Sequence, residues 1–131
     1  SLFDGLGILV IAGAVVGETI ADRQLAAFKA DPDNRGKTCR RGLWAVSRHP
    51  NYFFEWLHWV GYPVLGLALL GTSLAVWWPL TLVGPAVMLL LLVQFTGIPY
   101  TEKQSLKSRG EDYRAYQREV SAFFPWFPKS H

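Results

Sequence analysis

Between Glu55 and Glu102 the chain carries 46 consecutive residues with no Asp, Glu, Lys or Arg. A soluble domain of 131 residues has too much surface to leave a third of its length uncharged. Crossing about 30 Å of hydrocarbon takes about 20 apolar residues per helix, and the stretch holds two such helices with a short turn between them. The chain is therefore read as membrane-embedded, a single membrane domain over residues 1–131.

Other classes fall away on equally simple grounds. The lone cysteine, Cys39, forms no internal disulfide, which removes the stapled secreted scaffolds. His49, His58 and His131 show no metal-ligand spacing with it, so no metal is expected. The opening apolar run lacks a basic flank, so no cleavable signal peptide is expected, and the start at Ser1 leaves room for a longer protein.

Three spans are expected. The first grows from the apolar run Leu6 to Gly17 and extends to about Leu25 or beyond, with Glu18 and Asp22 facing a bundle interior. The second begins at Tyr52, passes Pro63 as a kink or a site accommodated by neighbours, and ends near Gly71-Thr72-Ser73. The third covers Leu74 to Thr96 with a bend at Gly84-Pro85, and Trp56, Trp59, Trp77 and Trp78 lie toward span ends. Seven of the 13 basic residues fall between the first two spans and six after the third, while the connection near Gly71 has none. Both basic segments then belong on one side, which the positive-inside rule makes cytoplasmic. The net charge of +3 is thus a topological signal before it is a sign of nucleic acid, which is not an expected partner.

Beyond Pro99 the chain turns polar. Ser108 and Glu111 read as a capping box opening a cytoplasmic amphipathic helix, Glu111 to Val120, with Tyr113 and Tyr116 on one face. The tail from Ser121 to Lys129 reads as a non-helical aromatic hook at the membrane interface. The expected fold is an all-α polytopic bundle of about three transmembrane helices plus that C-terminal helix.

Three polar groupings need a reason in such a chain. Glu18, Asp22 and Lys29 share a helix face near the cytoplasmic end, and ionisable residues in a span are costly. In Ser47-Arg48-His49-Pro50-Asn51-Tyr52, Pro50 suits the first helical position and makes His49 the cap. From there Asn51, Glu55, His58 and Tyr62 run as a stripe at i, i+4, i+7 and i+11, starting at a helix N-terminus that attracts anions. Gln94, Thr96, Glu102 and Lys103, followed by Arg109, Tyr113 and Tyr116, mark the exit of the last span. The competing readings are headgroup-level neutralisation for the first group, a hydrogen-bonded packing seam for the second and a plain solvated helix start for the third. Common topology would gather all three around one cytoplasm-facing cavity, cationic enough for a nucleotide with several phosphates and aromatic enough to stack a base.

Several segments are shared with a known group. Gly42-Leu43-Trp44, Ser47-Arg48-His49-Pro50-Asn51-Tyr52 with Glu55, Gly97-Ile98-Pro99, Glu102-Lys103, Tyr113-Arg114-Ala115-Tyr116-Gln117 and the Phe-Pro-Trp-Phe-Pro tail resemble the steroid 5-alpha-reductase C-terminal family, in its bacterial branch of membrane proteins. The wider superfamily includes sterol reductases, which bind NADPH in this region, and isoprenylcysteine carboxyl methyltransferases, which bind S-adenosylmethionine. The resemblance implies a cofactor-binding half in a bacterial inner membrane, with the 22–50 loop and the C-terminus cytoplasmic. By that likeness Glu18 and Asp22 match polar positions facing the nucleotide, and Lys29 a cationic position near its phosphates. Asn34 and Arg35 fall in a phosphate-proximal loop. Asn51, Tyr52 and Glu55 match a cofactor-facing motif, and Tyr113 and Tyr116 lie in the closing segment. Arg48, His49, Glu102 and Lys103 complete the expected set. Phe54 stands where the family has Gly, which argues against a close helix approach there. The family's catalytic Glu and Tyr lie in earlier helices, and no residue here matches them; Tyr62 or His58 is the local alternative as proton donor.

The leading expectation is a membrane-embedded NADPH-dependent reductase, or its cofactor-binding half, acting on an activated carbon–carbon double bond of a steroid- or lipid-like substrate. The alternatives are an S-adenosylmethionine-dependent methyltransferase and a non-enzymatic membrane scaffold. The partners implied are the lipid bilayer and a hydrophobic small molecule. Nothing in the sequence sets an oligomeric state.

Overall fold

The computed structural model describes residues 2–129, which are helical or irregular with no strand among them. Five α-helices form: α1 (Leu2–Ala30), α2 (Pro50–Gly66), α3 (Val83–Leu90), α4 (Gly97–Arg109) and α5 (Glu111–Glu119). A 3-10 segment extends α2 to Gly71, another leads into α3 from Ser73 to Leu82, and a π-helical turn at Leu91–Phe95 joins α3 to α4. Three continuous helical stretches, Leu2–Ala30, Pro50–Gly71 and Ser73–Arg109, are long and apolar enough to cross a bilayer. The chain is an all-α membrane protein.

α1 runs beyond Leu25 and stops at Asp31-Pro32, where Pro32 disfavours further helix and Asp31 accepts the Asp33 N–H at 3.0 Å. The end of the third span differs from the sequence expectation. The third stretch does not end at Thr96. Pro99 falls in the first turn of α4, where its missing N–H would have no intrahelical partner, so the polar segment stays helical to Arg109. The expected capping box is absent as well. Ser108 Oγ donates to the Ser105 carbonyl at 3.3 Å, and Gly110, at φ 53°, breaks α4 from α5.

α1 and α2 pack antiparallel along a seam of small residues. Gly7 faces Leu65, Gly61 faces Ile11 and Gly17 faces Phe54, while Ala14 and Ala21 are fully buried between them. In a bilayer, where apolar surface gains little from leaving lipid, such close backbone approach supplies the packing. The approach expected to fail at Phe54 does form. Gly17 supplies the space from the opposite helix: a Cβ there would lie 2.5 Å from the Phe54 ring.

Two tryptophans reach across the bundle. Trp78 Nε1 donates to the Pro63 carbonyl at 2.9 Å and Trp56 Nε1 to the Pro85 carbonyl at 3.1 Å. Each indole thus donates to the carbonyl of a proline on another span. Pro63 is thereby held inside α2 by a neighbour, and Trp56 and Trp78 act as staples between spans.

The tail is non-helical and docks by its backbone. Arg48 N–H donates to Ser121 O at 2.8 Å, Ser47 Oγ to Phe123 O at 2.8 Å and Trp126 N–H to Val46 O at 3.0 Å. Phe123 is buried with Leu92 and Ile98, against Tyr52, Phe53 and Trp56. This clamp ties the segment entering α2 to the end of the chain.

Candidate functional site

The C-terminal end of α1, the loop after it, the N-terminal end of α2, and α4 with α5 meet at one end of the bundle. The two basic segments are therefore in contact. Thr38 N–H donates to Asp112 Oδ2 at 2.7 Å, Arg40 pairs with Glu119, and the Asn34 amide donates to the Phe28 carbonyl at 2.9 Å.

Two adjoining hollows open there. The outer, about 740 Å³, is bounded by the Asp31–Lys37 loop and by Lys29, Arg35, Lys37 and Arg109. The inner, about 150 Å³, is walled by Arg48, His49, Asn51, Tyr52, Tyr113 and Tyr116 with Thr38, Thr101 and Ser105. Leu25, Lys29, Cys39 and Arg109 line both, so the two form one continuous space.

Its inner wall is held by a network centred on Glu102. That carboxylate lies 2.9 Å from Arg48 Nη1 and 3.3 Å from His49 Nε2, and accepts the Tyr113 hydroxyl. The side chains of Arg48, His49 and Glu102 are only 12%, 3% and 14% exposed, so this is a desolvated cluster and not a surface pair. His49 caps α2 by position but not by its side chain; Ser47 Oγ accepts the His49 N–H at 3.1 Å. The imidazole stacks on Tyr52, with 5.4 Å between centroids, and Tyr52 OH shares a hydrogen bond with Thr101 Oγ1 at 2.9 Å.

The two tyrosines of α5 are structural anchors of the same wall. Burial, and then the hydrogen bond to Glu102, hold the Tyr113 hydroxyl far above the ordinary tyrosine range. Burial does the same for Tyr116, whose hydroxyl reaches the Trp44 and Ser47 carbonyls. The Arg109 guanidinium lies over the Tyr113 ring, 4.8 Å from its centroid. Both phenols are neutral donors at any physiological pH.

Thr38 Oγ1, Arg48 Nε and His49 Nε2 are buried without a hydrogen bond, apart from the ion pair of His49 with Glu102. All three residues line the inner hollow. Buried polar atoms are ordinarily satisfied, so the two groups left without any partner, Thr38 Oγ1 and Arg48 Nε, on residues around one space suit a polar ligand.

The sequence-derived residues divide accordingly. Lys29, Asn34, Arg35, Arg48, His49, Asn51, Tyr52, Tyr113 and Tyr116 line the joined hollow. Glu102 stands behind the wall and holds three of its members, and Lys103 is exposed and lines neither part. Glu18, Asp22 and Glu55 also line neither. They lie near one another on α1 and α2, Glu18 and Glu55 half-buried and Asp22 exposed, so Asp22 does not face a bundle interior as expected. His58 Nε2 bonds the Tyr62 hydroxyl at 2.9 Å on α2. Arg109, expected near the cavity from the third polar grouping, does line it, whereas Thr101 and Ser105 went unselected as cavity residues. The i, i+4, i+8 spacing of the three on α4 is the signal, and it is readable only once 97–109 is known to be helical.

Residues 1–120 match the model of a protein family described as a protein of unknown function, DUF1295. The chain belongs to the DUF1295 family. Comparison with curated proteins and with solved structures finds no match. The match includes the α1–α2 seam, the Asp31–Lys37 loop, the Glu102 network and α5, so the whole candidate site of this DUF1295 chain lies inside the family-defining region. Among its described residues no group of three or more His, Cys, Asp or Glu could hold a metal ion.

Proposed function

We propose that this chain is the nucleotide-holding part of a membrane-embedded NADPH-dependent reductase, acting on an activated carbon–carbon double bond of a steroid- or lipid-like substrate. The observation that carries the reading is the joined hollow: a cationic outer part leading to an inner part with unspent buried polar atoms. Its volume falls in the range of small-molecule and cofactor sites.

The residues fit such a group. Lys29, Arg35, Lys37 and Arg109 offer charge to phosphates at the outer part. Arg48 Nε and Thr38 Oγ1 offer a donor and a hydroxyl deeper in, beside the aromatic faces of Tyr52 and Tyr113. NADPH, when bound, supplies the hydride. The chain's part is to hold and orient: Glu102 fixes Arg48, His49 and Tyr113, and the stacked His49 and Tyr52 rings give the inner wall a rigid flat face. Glu18, Asp22 and Glu55 belong to this reading through the resemblance to the steroid 5-alpha-reductase C-terminal family. The basic segments at this end favour the cytoplasmic side under the positive-inside rule, and the resemblance favours a bacterial inner membrane.

A cationic rim favours a phosphate-rich nucleotide over S-adenosylmethionine, which carries no phosphate. Purified protein in detergent tests the choice. NADPH at about 100 times its dissociation constant should stabilise the fold by about 2.7 kcal/mol. Lys29→Ala with Arg109→Ala should abolish the shift while the unliganded protein still melts cooperatively. Stabilisation by S-adenosylmethionine alone transfers the site to a methyltransferase, and no response to either compound rejects the nucleotide reading.

A further inference from the structure

A second pair of hollows lies away from the site, among the spans. One, about 320 Å³, is an open hollow between α2, the 3-10 segment before α3 and α3, with Trp56, Pro63, Trp78 and Pro85 among its walls. The other, about 520 Å³, lies between α3, the π-helical turn and the tail residues Ser121 to Phe124. Ala86 and Leu89 line both, so they form one groove. The prolines and the small Ala86 open it, because they set the helices apart where a larger side chain would fill the gap.

Its chemistry is narrow. No ionisable side chain lines either lobe. In the first lobe the two indole N–H groups are already spent on the Pro63 and Pro85 carbonyls, so nothing there is left to bind a polar ligand. In the second, Gln94 and Ser121 are the side chains able to hydrogen-bond, where the last apolar turn gives way to polar α4 and the tail. Leu82, Leu90 and Val93 on its margins are exposed, which makes the groove continuous with the bilayer-facing surface of the spans.

We propose that this groove seats one acyl chain of a bilayer glycerophospholipid as a resident ligand, with the ester and headgroup region at Gln94 and Ser121. A hydrocarbon chain satisfies the first lobe, which can reward nothing else, and a polar end suits the second. The occupant is a resident lipid and not the molecule turned over at the nucleotide site. The groove and the inner hollow share no lining residue, and the buried cluster of Leu92, Ile98 and Phe123 with Tyr52 and Phe53 stands between them. The inference does not depend on the nucleotide reading. It does give the lipid a structural task, since the tail that walls the groove is the same tail that clamps Ser47 and Arg48.

The test is native mass spectrometry of the full chain, extracted in a mild detergent and carried through detergent exchange. Ala86→Trp fills the shared waist, Ala122→Trp fills the second lobe, and Val87→Trp places the same indole on an exposed position outside the groove. Helicity by circular dichroism and elution as a single species establish folding for each variant. The wild-type chain should keep one phospholipid, Val87→Trp should keep it equally, and the two groove variants should lose it at least tenfold. If Ala86→Trp does not fold, Ala122→Trp decides alone. A wild-type chain stripped of phospholipid, retention of a free fatty acid only, or groove variants that hold lipid as well as Val87→Trp would each overturn the proposal.

Discussion

Replacing Glu102 by Ala removes the carboxylate that Arg48, His49 and Tyr113 share. The Arg48 side chain is 12% exposed, so its charge cannot simply hydrate where it stands. Breaking one partner out of a buried ion pair costs about 3–5 kcal/mol, and an orphaned hydroxyl adds about 1 kcal/mol. The side chains of Arg48 and Glu102 keep 12% and 14% exposure, which places the expected loss near the lower end, about 3 kcal/mol. Removing both charges should hurt less than the sum of the single changes. Glu102→Ala combined with Arg48→Met should show a coupling energy of about 1.5–3 kcal/mol. Glu102→Gln keeps an acceptor for Tyr113 and should fall between Glu102→Ala and wild type. Reversible unfolding in mixed micelles, followed by loss of helicity, measures wild type, Glu102→Ala, Arg48→Met, their double variant and Glu102→Gln. Additive single variants, or a Glu102→Ala protein within about 0.5 kcal/mol of wild type, would refute the claim that a buried cluster braces the site.

Other positions give independent checks. Gly17→Leu should separate α1 from α2 and cost about 1–3 kcal/mol, because its Cβ meets the Phe54 ring; Gly13→Leu, with nothing within 4 Å, should be neutral in the same unfolding assay. Tyr116→Phe should lose about 1–3 kcal/mol, since the buried Trp44 and Ser47 carbonyls lose their shared donor. Alkaline stability carries a sign. Tyr113 has its folded-state value raised, so its contribution is complete below the ordinary value of 10.0 and declines as pH rises beyond it, by about 1.4 kcal/mol per unit at most. Tyr113→Phe should therefore show a shallower fall in stability above that pH, and an unchanged slope would count against burial of the phenol.

The membrane character, the three spans and the gathering of basic segments were legible because they depend on composition along the chain. A run of 46 uncharged residues has one inexpensive environment, whatever it packs against. Boundaries were less legible. Pro99 reads as a break, yet within the first turn of α4 it costs nothing, and the helix it fails to stop is the one that aligns Thr101, Ser105 and Arg109. The close approach at Phe54 depends on Gly17, a residue 37 positions away on another helix, so no local pattern could reveal it.

The linear order of residues settled which side chains are costly in a bilayer, and so which had to find partners. It could not settle which partners they find. Arg48 looks like a free cation in the sequence; in three dimensions it is paired with Glu102, and the exposed charge at the hollow comes from Lys29, Arg35, Lys37 and Arg109. Solvation cost is a property of each residue and is written along the chain. Pairing is a property of distance between helices, set by the small-residue seam and the tail clamp, and exists only once they have packed.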